Sequence, residues 1–273
     1  MIINRSKGTN IAPIKTTNNL IKMKKTFNLL MILALGAGVF TLNSCSEEPT
    51  EEPTPAETTC YLTQSEEDGE VTTYNYDSDN NVISSISYGD TTTFEYSGGR
   101  LNLAYDGFTE ATFIYESGNV PSRINLQEDG LSAGYIIMTN TNGNITKIEQ
   151  HDADDQIQDV TFATYDASGN LLSVINETWD ADLQEFETIA EITNIVTDGK
   201  KNPYSTSLAL IYADLENPLN FGQSNIVSGD FVVFGQAVPV TGSYTYNANN
   251  YPTSSVLTAL GEETIFSFTY NCK

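Results

Sequence analysis

The sequence predicts an all-β protein: a long antiparallel meander sheet of repeated hairpins, curled or rolled, with one short helix near residues 206–216. Three observations predict this class. Aromatic residues make up 10% of the chain, and 15 of its residues are Tyr, which favours strands. Aromatic residues alternate with small polar ones, which is the period of a half-buried strand. Clusters of Asp, Asn, Ser and Gly separate these stretches, as turns separate strands.

A short phrase recurs between Cys60 and Lys273. It consists of an aromatic residue or Thr, one further residue, Tyr, several polar residues closing on Gly or Asn, and then apolar residues. Copies occupy 74–83, 94–101 and 113–120, degenerate copies occupy 138–145 and 164–171, and a last pair occupies 244–252 and 268–272. Because Asn and Gly tolerate a positive φ, each phrase predicts a strand, a tight turn and a second strand. The turns are expected near Asn80, Gly98, Gly118, Gly143 and Gly169.

One segment follows a helical period instead. Apolar residues stand at i, i+3, i+4 and i+7 in Leu208, Ile211, Tyr212 and Leu215. Ser205 or Thr206 could cap the start, and Asn217-Pro218 would end the segment, which predicts a helix over 206–216 packed on the sheet. Residues 183–196 fit both periods, and we predict a strand there.

The N-terminal region predicts export. All 36 acidic residues follow position 44, whereas six of the twelve basic residues precede it. From Met23, a basic start leads into an apolar run from Leu29 to Phe40. This run suits a secretory signal and is too short for a membrane span of about 20 residues. We interpret 1–22 as an upstream extension and 23–44 as the signal peptide.

The end of this run, Leu42-Asn43-Ser44-Cys45, resembles a lipobox, in which the Cys is acylated and becomes the new N-terminus. The resemblance implies a lipid on Cys45, which anchors a protein to a membrane without spanning it. Residues 45–59 predict an acidic Pro, Thr and Glu tether with too little apolar surface to fold. Its acidic start resembles the export signal of surface lipoproteins in Bacteroidota, which implies the outer membrane, facing outward. A simple solvated linker is the alternative.

Two further cysteines, Cys60 and Cys272, bracket the predicted single β-rich domain, 60–273. In an oxidising compartment a disulfide between them would tie the first strand to the last. Two unpaired buried thiols are the alternative. A bridge would favour closure into a sandwich, barrel or propeller-like form over an open, curled meander.

The repeated phrase is fullest at Tyr165-Asp166-Ala167-Ser168-Gly169-Asn170. It resembles the YD-type repeats of Rhs and wall-associated proteins, and more closely the repeat-bearing lipoproteins of unknown function in Bacteroidota. Segments 198–204 and 246–253 support the second resemblance, which covers about residues 70–272. It implies an antiparallel β lipoprotein at the cell surface with no activity attached. Copies at Thr139 and Thr197 lack the Tyr, which argues against equal repeats of the Rhs shell type.

Charge and motifs argue against several activities. A formal net charge of −24 lacks the clustered Lys and Arg that nucleic-acid binding needs. The only histidine, His151, lies in an acidic, turn-like stretch. No Gly-x-Ser-x-Gly motif occurs in the sequence, so we expect His151 to be an exposed loop residue and not a catalytic one. One His and two scattered Cys cannot close a tetrahedral zinc site. We therefore predict no catalytic residue and no enzyme activity.

Three acidic turns space oxygen atoms as calcium ligands are spaced. They contain the pairs Asp77 and Asp79, Asp152 and Asp154, and Asp180 and Asp182. None continues as an EF-hand, and surface hairpin turns are the favoured interpretation. Calcium is thus a weak prediction, and no other cofactor is predicted.

Aromatic side chains are the remaining candidates for binding. Alternate residues of a strand share a face, so Tyr74 and Tyr76 point the same way, as do Phe94 and Tyr96. Buried, such rows are core; open, they form a platform for sugars or an apolar ligand, and recurrence in every repeat favours core. Trp179, the single Trp, is the candidate ligand-binding residue at a predicted loop, and a rim position is its alternative.

Together these features predict a lipid-anchored cell-surface binding or adhesion protein for an extracellular glycan or protein. Its contact with the membrane would be the lipid on Cys45. A carrier that holds an apolar ligand inside a rolled sheet is one alternative. A carbohydrate-active enzyme with two convergent carboxylates is another, and an envelope-packing role is the last.

Overall fold

The computed structural model describes residues 58–215, 217–233, 235–259 and 261–273. The predicted upstream extension, the signal peptide, Cys45 and nearly all of the tether lie outside these residues. The described chain forms sixteen strands, one α-helix and one 3-10 helix. In chain order these are β1 (Cys60–Glu67), β2 (Glu70–Tyr76), β3 (Val82–Ser87), β4 (Asp90–Ser97), β5 (Arg100–Tyr105), β6 (Thr109–Ile114), β7 (Arg123–Glu128), β8 (Leu131–Thr141), β9 (Asn144–His151), β10 (Ile157–Tyr165), β11 (Leu171–Asp180), β12 (Glu185–Lys201), α1 (Leu208–Ala213), the 3-10 helix (Pro218–Phe221), β13 (Ser224–Val233), β14 (Gln236–Tyr246), β15 (Pro252–Ala259) and β16 (Glu262–Cys272).

The strands form one closed antiparallel barrel in which each strand pairs with its neighbours in sequence. The predicted antiparallel meander with one short helix is confirmed, and so is the strand predicted over 183–196, most of which lies in β12. The open, curled sheet is wrong, because β1 pairs with β16 and the sheet has no free edge. Cys60 and Cys272 stand opposite each other in this last pair and are joined by a disulfide.

The meander gives the barrel two different ends, because alternate connections of antiparallel strands lie on the same side. Connections that follow the even-numbered strands share one end with Cys60 and Cys272. We call this the closed end, and the end holding the connections after the odd-numbered strands the open end. The predicted turns at Asn80, Gly98, Gly118, Gly143 and Gly169 all have a positive φ, and all lie at the closed end.

The inner face of the barrel wall is largely apolar, and the outer face mixes polar residues with exposed apolar ones such as Val71, Ile114 and Ile265. The inward residues Tyr74, Phe94 and Phe113 are only 4% to 6% exposed, so the aromatic rows are core and not an open platform. Polar residues fill many of the alternate, outward positions of β2, β4, β6 and β7: Thr73, Asn75, Thr91, Thr93, Glu95, Glu110, Thr112, Arg123, Asn125 and Gln127.

The interior is filled by the connection between β12 and β13, because strand side chains alone fill a barrel of only about eight strands. Residues 202–215 and 217–223, which we call the plug, enter from the closed end and carry both helices. Leu210 of α1 is fully buried, and Tyr212 packs edge-on against Phe113, with ring centroids 5.0 Å apart. None of the helices formed by the described residues has the length and apolarity of a membrane span.

The helix differs in detail from its prediction. It covers Leu208–Ala213 instead of 206–216, and its N-cap is Ser207, whose Oγ accepts the N–H of Ala209 at 3.2 Å, not Ser205 or Thr206. It lies among the core residues of the barrel interior and not on an outer face of the sheet. Wall residues from many strands surround the helix. Its most buried residues, Ala209 and Leu210, therefore lie outside the predicted apolar stripe, whose members are partly buried.

Tyr side chains of the repeated phrase fasten neighbouring strands at the closed end. Tyr76 donates its hydroxyl proton to the carbonyl of Leu62 at 2.7 Å, one strand back. The same bond, here called a tyrosine clasp, joins Tyr96 to Val82, Tyr115 to Leu101, Tyr165 to Ile145, Tyr244 to Ile226 and Tyr270 to Pro252. Burial raises the pKa of these phenols, that of Tyr115 to about 12, so they stay protonated donors at neutral pH. The clasps explain why the phrase repeats Tyr where Phe would serve for packing alone.

Removal of one clasp should lower stability. Tyr96→Phe leaves the carbonyl of Val82 without its phenol donor, and we expect the free energy of unfolding to fall by about 1–2 kcal/mol in urea denaturation. Tyr105→Phe is the control, because its exposed hydroxyl donates to Gly107 within its own turn. Equal losses in both variants would contradict a special role for the clasp.

Candidate functional site

A cavity of about 490 Å³ lies inside the barrel towards its open end. Its floor is the C-terminal end of the plug helix, with Tyr212, Asp214 and Leu215. Its apolar wall is formed by Ala104, Leu126, Ile136, Ile148 and Val160. We call this cavity the cup. Its volume falls within the range of about 300–1,000 Å³ that small-molecule sites occupy.

The polar lining of the cup is acidic. Among the described residues, four carboxylates line it, from Asp106, Asp159, Glu177 and Asp214, and no Lys, Arg or His does. The turn fixes Asp106, whose Oδ1 accepts the N–H groups of Phe108 and Thr109. The Oδ2 of Asp214 accepts the side-chain amide of Asn220 at 2.6 Å.

The amide of Asn176 and the phenol of Tyr212 show how polar and how desolvated the interior of the cup is. The amide oxygen of Asn176 is buried and has no hydrogen-bond donor among the described residues, so this wall position offers an unused acceptor. Burial raises the pKa of Tyr212 to about 12, and the negative charge of Asp106 adds to the shift. The floor is therefore desolvated beneath a rim of negative charge.

A second cavity of about 340 Å³ adjoins the cup and shares Thr92, Ala213 and Asp214 with it. It is also acidic, with Glu66, Glu67, Glu70 and Asp90 in its lining. The pKa of Glu67 is raised by burial and by the neighbouring charges of Asp68 and Glu70. Carboxylates here thus repel one another without a cation in the lining.

The basic residues lie at the other end of the barrel. Six Lys and Arg residues occur in 60–273, and all are at the closed end or in the closed-end half of their strand. Each stacks over an aromatic ring: Arg100 over Tyr115, Arg123 over Tyr135, Lys147 over Phe162, Lys200 over Tyr246, Lys201 over Tyr251 and Lys273 over Tyr61. By contrast, acids occupy or flank open-end turns at Asp68, Asp90, Asp106, Asp129, Asp152, Asp182 and Glu262. The barrel therefore carries strongly asymmetric charge along its axis.

Trp179 lies on the β11–β12 hairpin, which we call the lip, at the open end of the barrel, and it is not among the described residues that line the cup. It stands in β11 and not in the predicted loop, is 38% exposed, and packs edge-on against Phe186, with ring centroids 5.2 Å apart. The same hairpin exposes Leu183 and Ile189, and Ile189 lines the cup. Trp179 therefore shares its hairpin with the cup residues Asn176, Glu177 and Ile189.

His151 lies outside the cup lining, at the end of β9. Its ring stacks on Tyr135 with centroids 4.4 Å apart, and its Nδ1 is 3.8 Å from a carboxylate oxygen of Asp155. Asp155 also accepts the hydroxyl of Tyr135. The surroundings of His151 are an aromatic and acidic cluster on the wall, with no Ser or Cys nucleophile among these contacts.

The acidic pairs considered for calcium lie in turns whose backbone uses their first carboxylate. Asp77 Oδ1 accepts two backbone N–H groups, both at 2.9 Å, and Asp152 and Asp180 do the same. A further hydrogen bond from the side chain of Asn81 lowers the pKa of Asp77 most. The second residues, Asp79, Asp154 and Asp182, are exposed. Among the described residues no three His, Cys, Asp or Glu side chains converge as a metal site would require.

The cup could not be predicted from the sequence because its residues come from nine strands and the plug. One signal was available: the inward positions of β10 and β11 carry the polar residues Asp159, Thr161 and Asn176, which line the cup. Polar residues at inward positions mark the part of the lumen that the plug does not fill.

Comparisons with known proteins bear on the fold. No family model matches the chain, and no curated protein matches it. A solved porin-like protein from Bacteroides uniformis ATCC 8492 is 14% identical, with a TM-score of 0.53, over 77% of this chain and 98% of that one. A second, from Bacteroides vulgatus ATCC 8482, is 13% identical, with a TM-score of 0.42, over 78% and 99%. The first likeness supports the barrel fold alone.

The plug should be required for stability. Leu210→Ala removes a fully buried side chain from the helix beneath the cup, and we expect a loss of about 2–5 kcal/mol in the free energy of unfolding. Leu131→Ala, at a 73% exposed position, should cost about 0.5 kcal/mol or less. A small loss for Leu210→Ala in urea unfolding would mean that the plug is not part of the core.

Proposed function

We propose that this protein is a lipid-anchored, surface-facing barrel that binds a ligand with an apolar body in its cup. The cup itself carries the proposal: an apolar-walled cavity of ligand size lies at the open end of a barrel whose other end is plugged. Of the functions considered from sequence, the carrier alternative fits this geometry best. The proposed role is binding without catalysis.

Two features favour a container over a pore. Residues of the plug pack against wall residues from β1 to β9, so side chains obstruct the lumen. The outward positions of several strands carry Thr, Asn, Gln and charged residues, which would be costly against lipid. We therefore propose that the barrel stands in water, outside the bilayer.

The position of the chain ends supports a proposed orientation of the barrel relative to the membrane. The described chain enters at the closed end, where Thr59 and Lys273 exchange backbone hydrogen bonds beside the disulfide. A lipid on Cys45 would hold the closed end nearest the membrane, so the cup would face away from it. The outer membrane is the proposed location, with the cup open to the surroundings of the cell.

A second candidate is adhesion through the lip. Trp179, Leu183, Phe186 and Ile189 expose apolar surface on one hairpin, which suits an extracellular protein or glycan. In this proposal the cup is empty space and the lip alone carries affinity. Blocking the cup separates the two candidates.

Blocking part of the cup should weaken ligand binding. Thr161 lines the cavity, and Thr161→Phe fills part of it, so the affinity for a C10 amphiphile such as 1-decanol should fall by about tenfold or more. Thr91→Phe, an outward and exposed position, is the control with the same substitution. Titration followed by calorimetry and by the fluorescence of Trp179 measures both. Unchanged affinity in Thr161→Phe would refute cup binding.

Loss of Cys45 should release the protein. Cys45→Ser removes the thiol that the lipid needs, so the exported protein should move from the membrane fraction to the soluble fraction. Ser46→Ala retains the thiol and should stay with membranes. Membrane retention of Cys45→Ser, checked by fractionation and by fatty-acid labelling, would contradict the anchor.

A further inference from the structure

We propose that the ligand of the cup is an amphiphilic cation, an apolar chain or ring system that carries an ammonium or guanidinium group. This inference rests on the proposed binding function and adds the charge of the ligand. The apolar wall of Ile136, Ile148 and Val160 requires an apolar body, and the groups around it set the chemistry of the head.

The carboxylates of the cup and the amide oxygen of Asn176 accept hydrogen bonds, so a donating ligand would complement them. Asp159 and Glu177 come from the adjacent strands β10 and β11, and a carboxylate at neutral pH only accepts hydrogen bonds. The amide oxygen of Asn176, beside Glu177 in β11, is buried and lacks a donor. A buried acceptor without a partner destabilises the folded state, and a donating ligand would recover that cost. A ligand with an anionic head would instead be repelled by the carboxylates of the lining.

The field of the whole barrel acts in the same direction. In the part of the chain that the structure describes, no Lys, Arg or His lines either cavity, and the six Lys and Arg residues of 60–273 lie over aromatic rings at or towards the closed end. A cleft lined by one sign of charge, with walls of low dielectric constant, focuses the potential at its mouth. The open end should therefore attract cations and repel anions before any contact is made.

A bare metal ion fits the cup less well. A hard cation needs six or more oxygen ligands close together, whereas the described residues contain no convergent group of three acidic, His or Cys side chains. The apolar wall would remain uncovered around such an ion. An organic cation satisfies both surfaces at once, because its head pairs with the carboxylates and its body covers the wall.

Three ligands of equal chain length test the charge: decylammonium, 1-decanol and decanoate, each titrated into the barrel with its disulfide intact. We expect decylammonium to bind about tenfold or more tighter than 1-decanol, and decanoate to bind weakest. Trp179 fluorescence and calorimetry provide two readouts. Raising the ionic strength from about 0.01 to about 1 M, which shortens the Debye length from about 30 to about 3 Å, should reduce the preference.

Paired variants locate the effect. Asp159→Asn with Glu177→Gln keeps the shape of the cup and should bring decylammonium close to 1-decanol in affinity. Glu128→Gln with Asp129→Asn removes the same charge from an exposed open-end turn and should retain the preference. Urea unfolding checks that both are folded, and Glu177→Gln alone serves if the first pair is unstable.

The outcomes distinguish failure of the proposed cationic head from failure of the proposed binding function. If 1-decanol or decanoate binds as tightly as decylammonium, the cationic head is wrong and the cup remains an apolar site. If the control pair loses the preference as fully as the cup pair, surface charge and not the cup selects the ligand. If none of the three binds, or Thr161→Phe binds them unchanged, the proposed function itself fails.

Discussion

Closure of the sheet by the β1–β16 pair is the constraint on which the rest of the structure depends. A ring of sixteen strands encloses more space than its own side chains fill, and an empty apolar lumen would lose packing energy and collapse. The β12–β13 connection fills that space from one side only. The cup is the part of the lumen that this connection leaves unfilled. Its volume therefore depends on the number of strands and on the length of the plug.

The two ends of the barrel differ in the contacts that hold them together. Tyrosine clasps, cation–aromatic contacts and the disulfide all lie at or towards the closed end. Open-end turns such as those at Asp68 and Asp129 instead carry acids without basic partners nearby in sequence. Repulsion among these acids is tolerable because the opposite end holds the strands in register. Binding sites commonly carry such unfavourable charge, which a complementary ligand relieves.

The sequence predicts the local structure of this protein better than its closure. The period-two alternation and the Asn and Gly turns identify strands and hairpins, because both depend on neighbours in sequence. The pairing of Cys60 with Cys272 depends on a contact across 212 residues, and the sequence could only leave it open. Likewise the stripe of Leu208, Ile211 and Tyr212 predicts a helix but not the lumen around it. The cup escaped prediction because Asp159, Glu177 and Asp214 line one cavity only when the ring is closed and plugged.

The disulfide lies at the point where a surface anchor would pull on the domain. Force on an anchored protein would act on the chain at Thr59. Without a crosslink, that force would break the hydrogen bonds between β1 and its neighbouring strands one after another. Because Cys60 is bonded to Cys272, the load passes to β1 and β16 together, and both must separate from their outer partners before the barrel opens. With the proposed anchor in place, the crosslink would transmit tension to two strands at once, and reduction of the disulfide would let β1 detach under a smaller force.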